Sequence, residues 1–141
     1  MKVFSANEDN IARLLPLLES KHCFVKFYSR GCGHCRAMAK DWNIMIGSFL
    51  RDRSLAAADG RGSDEIVIAE VDPGALKLMS AGVKDAVNGF PTILELKNGR
   101  IHSTYGGDRT AADLKQWIRD NGAPSAQGVR RFSMQSTQFI W

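Results

Sequence analysis

Residues 32–35 read CGHC and place two thiols two residues apart. The run before them, CFVKFY at residues 23–28, is apolar, aromatic and β-branched, which is typical of a buried strand. After them, large apolar residues recur at helical spacing through residues 38–49. These segments together predict a strand, a tight turn and a helix, with the two cysteines at the start of the helix.

Two thiols at this spacing can close a disulfide and reopen it, so the motif indicates thiol–disulfide exchange. Cys32 falls at the predicted helix N-terminus, where unpaired N–H groups and the helix dipole favour a thiolate over a thiol. We therefore predict that Cys32 is the nucleophile and that Cys35, one turn further on, is the resolving thiol. His34 follows Gly33 between them, and its partial positive charge would stabilise the Cys32 thiolate and make the disulfide a stronger oxidant.

The same spacing also occurs in zinc sites and in inert structural disulfides. A closed structural zinc site needs four ligands, and the other candidates, Cys23, His22 and His102, show no second paired spacing. We therefore expect no metal ion and no cofactor beyond the redox-active disulfide of Cys32 and Cys35. Cys23 opens the predicted strand and is interpreted as a buried small hydrophobic residue rather than a second redox centre.

Length and composition limit the fold and the partners. The chain has 141 residues, of which 44% are hydrophobic, which suits one core and is too little for two ordinary domains. The formal charge of +4 arises from 19 Lys and Arg residues that are dispersed along the chain, so nucleic-acid binding is not indicated. No stretch is long enough to span a bilayer, and residues 1–9 lack a signal-peptide pattern. We expect a monomer in the cytoplasm or a similar compartment.

Hydrophobic periodicity and turn signals predict the element order β-α-β-α-β-α-β-β-α, an α/β fold with a mixed central sheet and helices on both faces. Ser5 and Glu8 have the spacing of a helix capping box, and an Asn-Gly pair at residues 98–99 indicates a hairpin. The predicted strands cover residues 2–4, 23–29, 66–71, 93–96 and 101–105, and the predicted helices cover residues 11–18, 33–50, 75–81 and 110–121. Residues 51–65 are interpreted as the end of a helix followed by a loop. We predict one domain over residues 1–121 and a flexible tail over residues 122–141.

These motifs resemble the thioredoxin superfamily. CGHC at residues 32–35, GFPT at residues 89–92, Asn-Gly at residues 98–99 and the segment at residues 105–117 all fall at family spacing. The CGHC form is similar to the catalytic domains of protein disulfide isomerases. The resemblance covers residues 1–121 and implies a thioredoxin fold and an enzyme, a protein thiol–disulfide oxidoreductase of the disulfide isomerase type. It implies protein dithiol or disulfide substrates and an electron partner such as glutathione or another oxidoreductase.

The resemblance assigns further residues to the site. Pro91 corresponds to a cis-proline beside the active-site disulfide, which turns the chain so that Phe90 offers backbone groups to an extended peptide; a trans-proline at a strand start is the alternative. Gly31 stands where the family usually has Trp, which removes an aromatic wall from the same substrate-binding surface. Arg109 matches an arginine thought to swing toward the site and lower the pKa of the second cysteine; the alternative is a solvated arginine near a helix start.

Two charged residues depart from the family pattern. The family usually places a buried Asp or Glu six residues before the first cysteine, where this chain has Lys26. It commonly places a partner Lys in the next strand, where this chain has Glu70. Because burying either charge alone would be costly, this reciprocal exchange is what retention of an ion pair requires. We hypothesise that Glu70, paired with Lys26, takes over proton transfer at Cys35; the alternative is that both side chains extend into solvent.

Other functions are compatible with the sequence. A thioredoxin-like disulfide reductase would use the same two cysteines; the expected location favours it and His34 disfavours it. A non-catalytic adaptor would use the cleft around Pro91 to hold extended peptides. An iron–sulfur carrier would bridge two chains through Cys32.

Overall fold

The computed structural model describes residues 1–52 and 65–122, and within these ranges it contains five strands and five helices. In chain order they are β1 Lys2–Ala6, α1 Ile11–Ser20, β2 His22–Phe27, α2 Gly33–Asp52, β3 Ile66–Val71, α3 Pro73–Leu76, α4 Ala81–Ala86, β4 Thr92–Lys97, β5 Arg100–Thr104 and α5 Ala111–Gly122. The predicted strands and long helices are therefore confirmed to within a few residues of each boundary. Most of the predicted loop at residues 51–65 and nearly all of the predicted tail lie outside the described residues.

The strands form a mixed sheet in the order β1-β3-β2-β4-β5. β3 runs parallel to both β1 and β2, whereas β4 runs antiparallel to β2 and β5 runs antiparallel to β4. Parallel strands need crossover connections, which α1 and α2 supply. Asn98 and Gly99 join β4 to β5 with φ angles of 52° and 82°, which confirms the predicted hairpin, because both residues tolerate the left-handed conformation.

Side-chain alternation along the sheet divides the core into two layers. In β2, Val25 and Phe27 pack with α1 on one face, and Phe24 packs with α2 and α5 on the other. All three are fully buried, so β2 is covered on both faces. The second layer also contains Trp42 of α2 and Leu114 of α5. The predicted mixed sheet with helices on both faces is confirmed.

The predicted capping box at the start of the first helix is wrong. Ser5 lies in β1, and its hydroxyl donates a hydrogen bond to Glu70 Oε2 at 2.9 Å. α1 begins only at Ile11, and the side chain of its N-cap residue, Asn10, makes no capping hydrogen bond to the first turn of the helix. The Ser5 hydroxyl therefore bonds to the neighbouring strand β3 and does not cap the helix, as the local pattern had predicted it would.

The single helix predicted for residues 75–81 is also wrong, because two short helices, α3 and α4, stand in this region. Each has its own N-terminal cap. Asp72 Oδ1 accepts a hydrogen bond from Ala75 N–H at 2.9 Å, and Ser80 Oγ accepts one from Val83 N–H at 3.4 Å. The second cap starts a new helix where the prediction had placed the end of the first.

Glu95 is a carboxylate that the sheet encloses almost completely, with 1% of its surface exposed. Its Oε2 lies 2.7 Å from His22 Nε2, and its Oε1 accepts a hydrogen bond from Ser103 Oγ at 2.7 Å. Burial lowers the pKa of His22, while the hydrogen bond and the charge of Glu95 act to raise it. A buried carboxylate is costly unless its oxygens have hydrogen-bond partners. The neighbouring strands β2 and β5 provide one partner for each oxygen of Glu95.

Replacing Glu95 with Leu should lower the free energy of unfolding by about 2 to 4 kcal/mol, because the polar groups of His22 and Ser103 lose their buried partner. Chemical denaturation at neutral pH measures this change. Lys2→Leu, at an exposed position of the edge strand β1, is the control and should change stability by less than about 0.5 kcal/mol. A Glu95→Leu protein as stable as the parent would contradict a stabilising role for this cluster.

Candidate active site

The CGHC residues lie at the carboxyl end of β2, where the chain turns into α2. Tyr28 N–H still donates to the Val71 carbonyl of β3 at 3.2 Å, which ties the start of the turn to the sheet. Cys32 N–H donates to the Ser29 carbonyl at 3.2 Å, directly before α2 begins at Gly33. The predicted order of strand, tight turn and helix is confirmed.

Cys32 is partly exposed and stands immediately before the first residue of α2. The Cys35 N–H donates to Cys32 Sγ at 3.1 Å, and Cys32 Sγ lies 3.4 Å from the Phe90 carbonyl oxygen. The pKa of Cys32 is lowered, first by its hydrogen bond with the Cys35 side chain. The backbone N–H groups of Cys35 and His34 and the charge of Arg109 lower this pKa further, against the raising effect of desolvation. These contacts favour the thiolate, as predicted for a nucleophile.

His34 is exposed on the first turn of α2, and its contribution to Cys32 comes from its backbone N–H. The effect of its imidazole charge on the oxidising strength of the disulfide stays a prediction. Gly31 and Gly33 are exposed beside it, and an added Cβ at either position would meet no atom within 4 Å. The turn around the nucleophile is therefore open, although the role of Gly31 in substrate binding stays a prediction.

Cys35 is buried, with 4% of its surface exposed, and its pKa is raised. Burial is the main cause, and the hydrogen bond and charge of Cys32 add to it. The Ser29 backbone and the charge of Lys26 act in the opposite direction and lower this pKa. The two thiols therefore differ as disulfide exchange requires, because one is accessible and acidic and the other is protected and protonated.

The GFPT segment lies against the first thiol although it is remote in sequence. The Phe90-Pro91 peptide bond is cis, as predicted. The Phe90 carbonyl is the group that lies 3.4 Å from Cys32 Sγ, and Thr92 Oγ1 donates to the adjacent Gly89 carbonyl at 2.6 Å. The structure thus brings the two predicted motifs together, while the binding of substrate by Phe90 and Pro91 stays a prediction.

Arg109 is exposed on the loop between β5 and α5. The Tyr105 hydroxyl donates to the Asp108 carbonyl within this loop. Asp41 Oδ1 of α2 accepts a hydrogen bond from Ala111 N–H at 3.0 Å, which ties the end of the loop to the active-site helix. In this conformation the charge of Arg109 is one of the causes that lower the pKa of Cys32. Its predicted effect on the second thiol stays a prediction.

Lys26 and Glu70 are register partners on the neighbouring parallel strands β2 and β3. Lys26 Nζ lies 3.2 Å from Glu70 Oε1, so the predicted ion pair is confirmed. Only 3% of Lys26 is exposed, which contradicts the alternative that both side chains extend into solvent. The part of this pair in proton transfer stays a prediction.

Sequence reasoning missed three residues around this pair. Lys26 Nζ lies 5.1 Å from the centre of the Trp42 ring and 5.3 Å from the centre of the Tyr28 ring, and Ser5 Oγ donates to Glu70. Strand alternation could have placed Tyr28 beside Lys26, and the helical period could have placed Trp42 on the buried face of α2. The contact of Ser5 depends on the register between β1 and β3, which no local pattern indicates.

Cys23 is fully buried, as interpreted from the sequence, and its Sγ lies 3.4 Å from the Leu17 carbonyl oxygen and 3.6 Å from that of Lys21. Burial raises the pKa of Cys23 to about 12, so this thiol stays protonated and inert near neutral pH. Among residues 1–52 and 65–122, no group of three or more His, Cys, Asp or Glu side chains could hold a metal ion.

The family model for Thioredoxin matches residues 3–120. The chain belongs to the thioredoxin family. Protein disulfide-isomerases of Humicola insolens and Oryctolagus cuniculus are each 33% identical to it, over 106 and 112 residues. These matches cover 74% and 78% of this chain but only 18% and 20% of those relatives. A thioredoxin domain-containing protein of Theileria parva is 30% identical over 118 residues, which are 80% of this chain and 47% of that protein.

Solved structures share the fold. The J-Trx1 fragment of ERdj5 has a TM-score of 0.61 at 21% identity, over 86% of this chain and 52% of that one. Human ERp44 form II has a TM-score of 0.62 at 18% identity, over 86% of this chain and 30% of that one. The chain therefore spans about half or less of the length of these relatives, and the resemblance to protein disulfide isomerases is confirmed at modest identity. No helix in the described part of the chain is long and apolar enough to cross a membrane.

Arg109→Gln should slow the alkylation of Cys32 by iodoacetamide about twofold to fivefold near neutral pH, because loss of the guanidinium raises the pKa of that thiol. Mass spectrometry of the alkylated protein across a range of pH measures the rate. Arg100→Gln removes the same charge from the exposed hairpin end of β5 and should leave the rate unchanged. If Arg109→Gln and the parent share one pH profile, Arg109 has no influence on Cys32.

Proposed function

We propose that this domain is a thiol–disulfide oxidoreductase of the protein disulfide isomerase type, which exchanges disulfides with protein substrates. The observation that best supports this function is the contrast between the two thiols. Cys32 is accessible and acidified, while Cys35 is buried, has a raised pKa and donates its N–H to Cys32 Sγ at 3.1 Å. The relationship to protein disulfide-isomerases at 33% identity supports the isomerase type.

Transfer of a disulfide to a substrate begins with Cys32 and Cys35 oxidised. A substrate thiolate attacks Cys32 Sγ, the bond between the two cysteines breaks, and Cys35 leaves as a thiolate that takes up a proton. A second substrate thiolate then attacks the substrate sulfur of the mixed disulfide, and Cys32 leaves as a thiolate. The substrate loses two electrons and the domain gains them. The N-terminus of α2 stabilises the Cys32 thiolate at each step in which it leaves.

Isomerisation and reduction begin from the dithiol. The Cys32 thiolate attacks a substrate disulfide and forms a mixed disulfide, which releases one substrate thiolate. That thiolate can attack another disulfide of the same substrate, which rearranges the pairing. When no rearrangement follows, Cys35 loses its proton and attacks Cys32 Sγ, which frees the substrate. Because a protonated Cys35 attacks the mixed disulfide slowly, the substrate can rearrange before it is released.

An extended substrate segment would lie along the open turn and the GFPT segment. A Cβ added at Gly31 would meet no atom within 4 Å, and the Phe90 carbonyl oxygen lies 3.4 Å from Cys32 Sγ. Backbone groups of an extended peptide can pair with such a segment, which gives affinity without sequence specificity. Glutathione or a partner oxidoreductase would restore the redox state of the pair, with no cofactor beyond the disulfide and with the domain acting as a monomer.

The reduction potential of the Cys32–Cys35 pair should lie near roughly −180 mV, the value typical of protein disulfide isomerase. Equilibration in glutathione buffers measures it, with Cys23→Ser as the background so that one pair titrates. A value near about −270 mV would instead assign a thioredoxin-like reductase. His34→Ala should shift the potential to a more negative value if the imidazole favours the reduced form.

Cys35→Ser should accumulate a mixed disulfide with a cysteine-containing peptide, because the nucleophile still reacts and nothing resolves the product. Intact-mass spectrometry under non-reducing conditions measures the adduct. Cys32→Ser is the matched control and should form no adduct, since Cys35 is buried. Peptide binding that is unchanged in Cys32→Ser, together with no adduct in Cys35→Ser, would identify a non-catalytic adaptor.

A further inference from the structure

The turn that holds the CGHC motif is rich in positive charge. Residues 28–40, which form this turn and the first part of α2, include Arg30, Arg36 and Lys40 but no Asp or Glu. The GFPT segment at residues 89–92 has no charged side chain. The bonds that break and form in disulfide exchange are those of sulfur, so the steps described above leave these cations without a role.

Arg36 lies one helical turn after Cys32. Its N–H donates to the Cys32 carbonyl at 3.1 Å, and residues four apart lie on the same side of a helix. Its Nη1 donates to the Arg30 carbonyl at 3.0 Å, which draws the guanidinium back toward the turn. The side chain is exposed, and a guanidinium has five N–H donors, so this bond leaves others for a ligand.

Arg30 and Arg109 lie on two other segments of the same edge. Arg30 precedes Cys32 by two residues, is exposed, and makes a hydrogen bond with the side chain of Tyr28. Arg109 is exposed on the loop between β5 and α5, and its charge is one of the causes that lower the pKa of Cys32. Because β4 runs antiparallel to β2 and β5 antiparallel to β4, this loop begins at the edge where β2 ends.

Few negative charges oppose these three arginines. The turn at residues 28–36, the GFPT segment and the loop at residues 105–110 contain one carboxylate, that of Asp108. On the neighbouring strand end, Glu70 pairs with the ammonium group of β2 at 3.2 Å and Asp72 caps α3. The edge of the sheet that carries the reactive thiol is therefore positive.

The arginines themselves are available to a ligand. Within residues 1–52 and 65–122, no ion pair joins a carboxylate to Arg30, Arg36 or Arg109. Guanidinium groups bind carboxylates through charge-assisted hydrogen bonds, often two at a time. The chemistry that this edge would recognise is thus an acidic side chain.

The spacing of the charges suits an extended substrate segment. Such a segment advances about 3.3 Å per residue, so side chains one to three residues from the reacting cysteine lie about 3 to 10 Å from it along the segment. Arg36 stands one turn, about 5.4 Å, from Cys32 along the helix. Acidic residues near the substrate cysteine can therefore reach the guanidinium groups while the cysteine meets the thiol.

We propose that Arg30, Arg36 and Arg109 form a basic surface around Cys32 that selects protein substrates with Asp or Glu within about three residues of the disulfide-bonded cysteine. The basic surface speeds the encounter with acidic segments and repels segments rich in Lys or Arg. The bonds that form and break in the exchange are the same for every substrate. This proposal rests on the proposed function, because it names the substrate class of the same exchange.

Three peptides test the selection. They share one ring closed by a disulfide and differ only in the residues on either side of the ring, which are Glu, Gln or Lys. The reduced full chain, with Cys23→Ser as the background, is mixed with each peptide, and the reaction is stopped with acid at successive times. Chromatography of the dithiol peptide gives three rates, and their ratios cancel any change in the intrinsic reactivity of Cys32.

The parent should reduce the Glu peptide about threefold to tenfold faster than the Gln peptide at low ionic strength, and the Lys peptide more slowly than either. In about 1 M salt the Glu-to-Gln ratio should fall below about twofold, because the Debye length is then about 3 Å. This dependence on salt separates attraction between charges from a difference in peptide shape.

Arg30→Gln combined with Arg36→Gln should lower the Glu-to-Gln ratio below about twofold at low ionic strength, because the attraction is lost. Arg30→Glu combined with Arg36→Glu should make the Lys peptide the fastest of the three. The control is Lys2→Gln combined with Arg100→Gln, which removes the same net charge at the starts of β1 and β5, on the opposite edge of the sheet, and should keep the parent's ratio.

Equal rates for the Glu, Gln and Lys peptides in the parent at low ionic strength would overturn the proposal. A parent preference that persists unchanged in the Arg30→Gln and Arg36→Gln double variant would overturn it as well, because another feature would then select the substrate. Failure of the parent to reduce any of the three peptides would contradict the proposed function instead. The rate with the Gln peptide shows in each variant that the two cysteines still react.

Discussion

The burial of the central strand β2 on both faces is the constraint on which the rest of the structure depends. β3 and β4 flank it within the sheet, and helices cover it from either side, so each polar group on it must find a partner inside the protein. At its start His22 meets Glu95, and near its end Lys26 meets Glu70. The same strand ends shortly before the turn that holds Cys32, the proposed nucleophile, so one strand both anchors the core and positions the candidate site.

The contrast between the two thiols follows from where α2 begins. Cys32 stands before the first helical residue, where N–H groups that lack helical partners point at its sulfur. Cys35 is only three residues later, yet the helix turns it toward the sheet and buries it. Although both residues are cysteines, their positions at the helix start give Cys32 a lowered pKa and Cys35 a raised pKa.

Much of the fold and part of the site could be predicted from the sequence, because the signals are local. The apolar run at residues 66–71 predicts a buried strand, and the Asn-Gly pair at residues 98–99 predicts the hairpin with its left-handed backbone. The prediction failed where a contact between residues far apart in the chain replaced the contact that a local pattern indicated. Ser5 had the spacing of a cap and instead donates to Glu70 across the sheet, because a strand partner outweighs a helix cap that the chain never forms.

The sequence by itself determined the order of the strands and long helices, the two cysteines of the CGHC motif and the presence of opposite charges at residues 26 and 70, since each depends on residue type and spacing along the chain. Only the tertiary structure decided that Lys26 is buried, that Ser5 holds its carboxylate partner, and that Glu95 is enclosed between two strands. These facts depend on strand order and register, which bring together residues that are far apart in the chain. Burial and the pairing of charges are therefore properties of the assembled sheet.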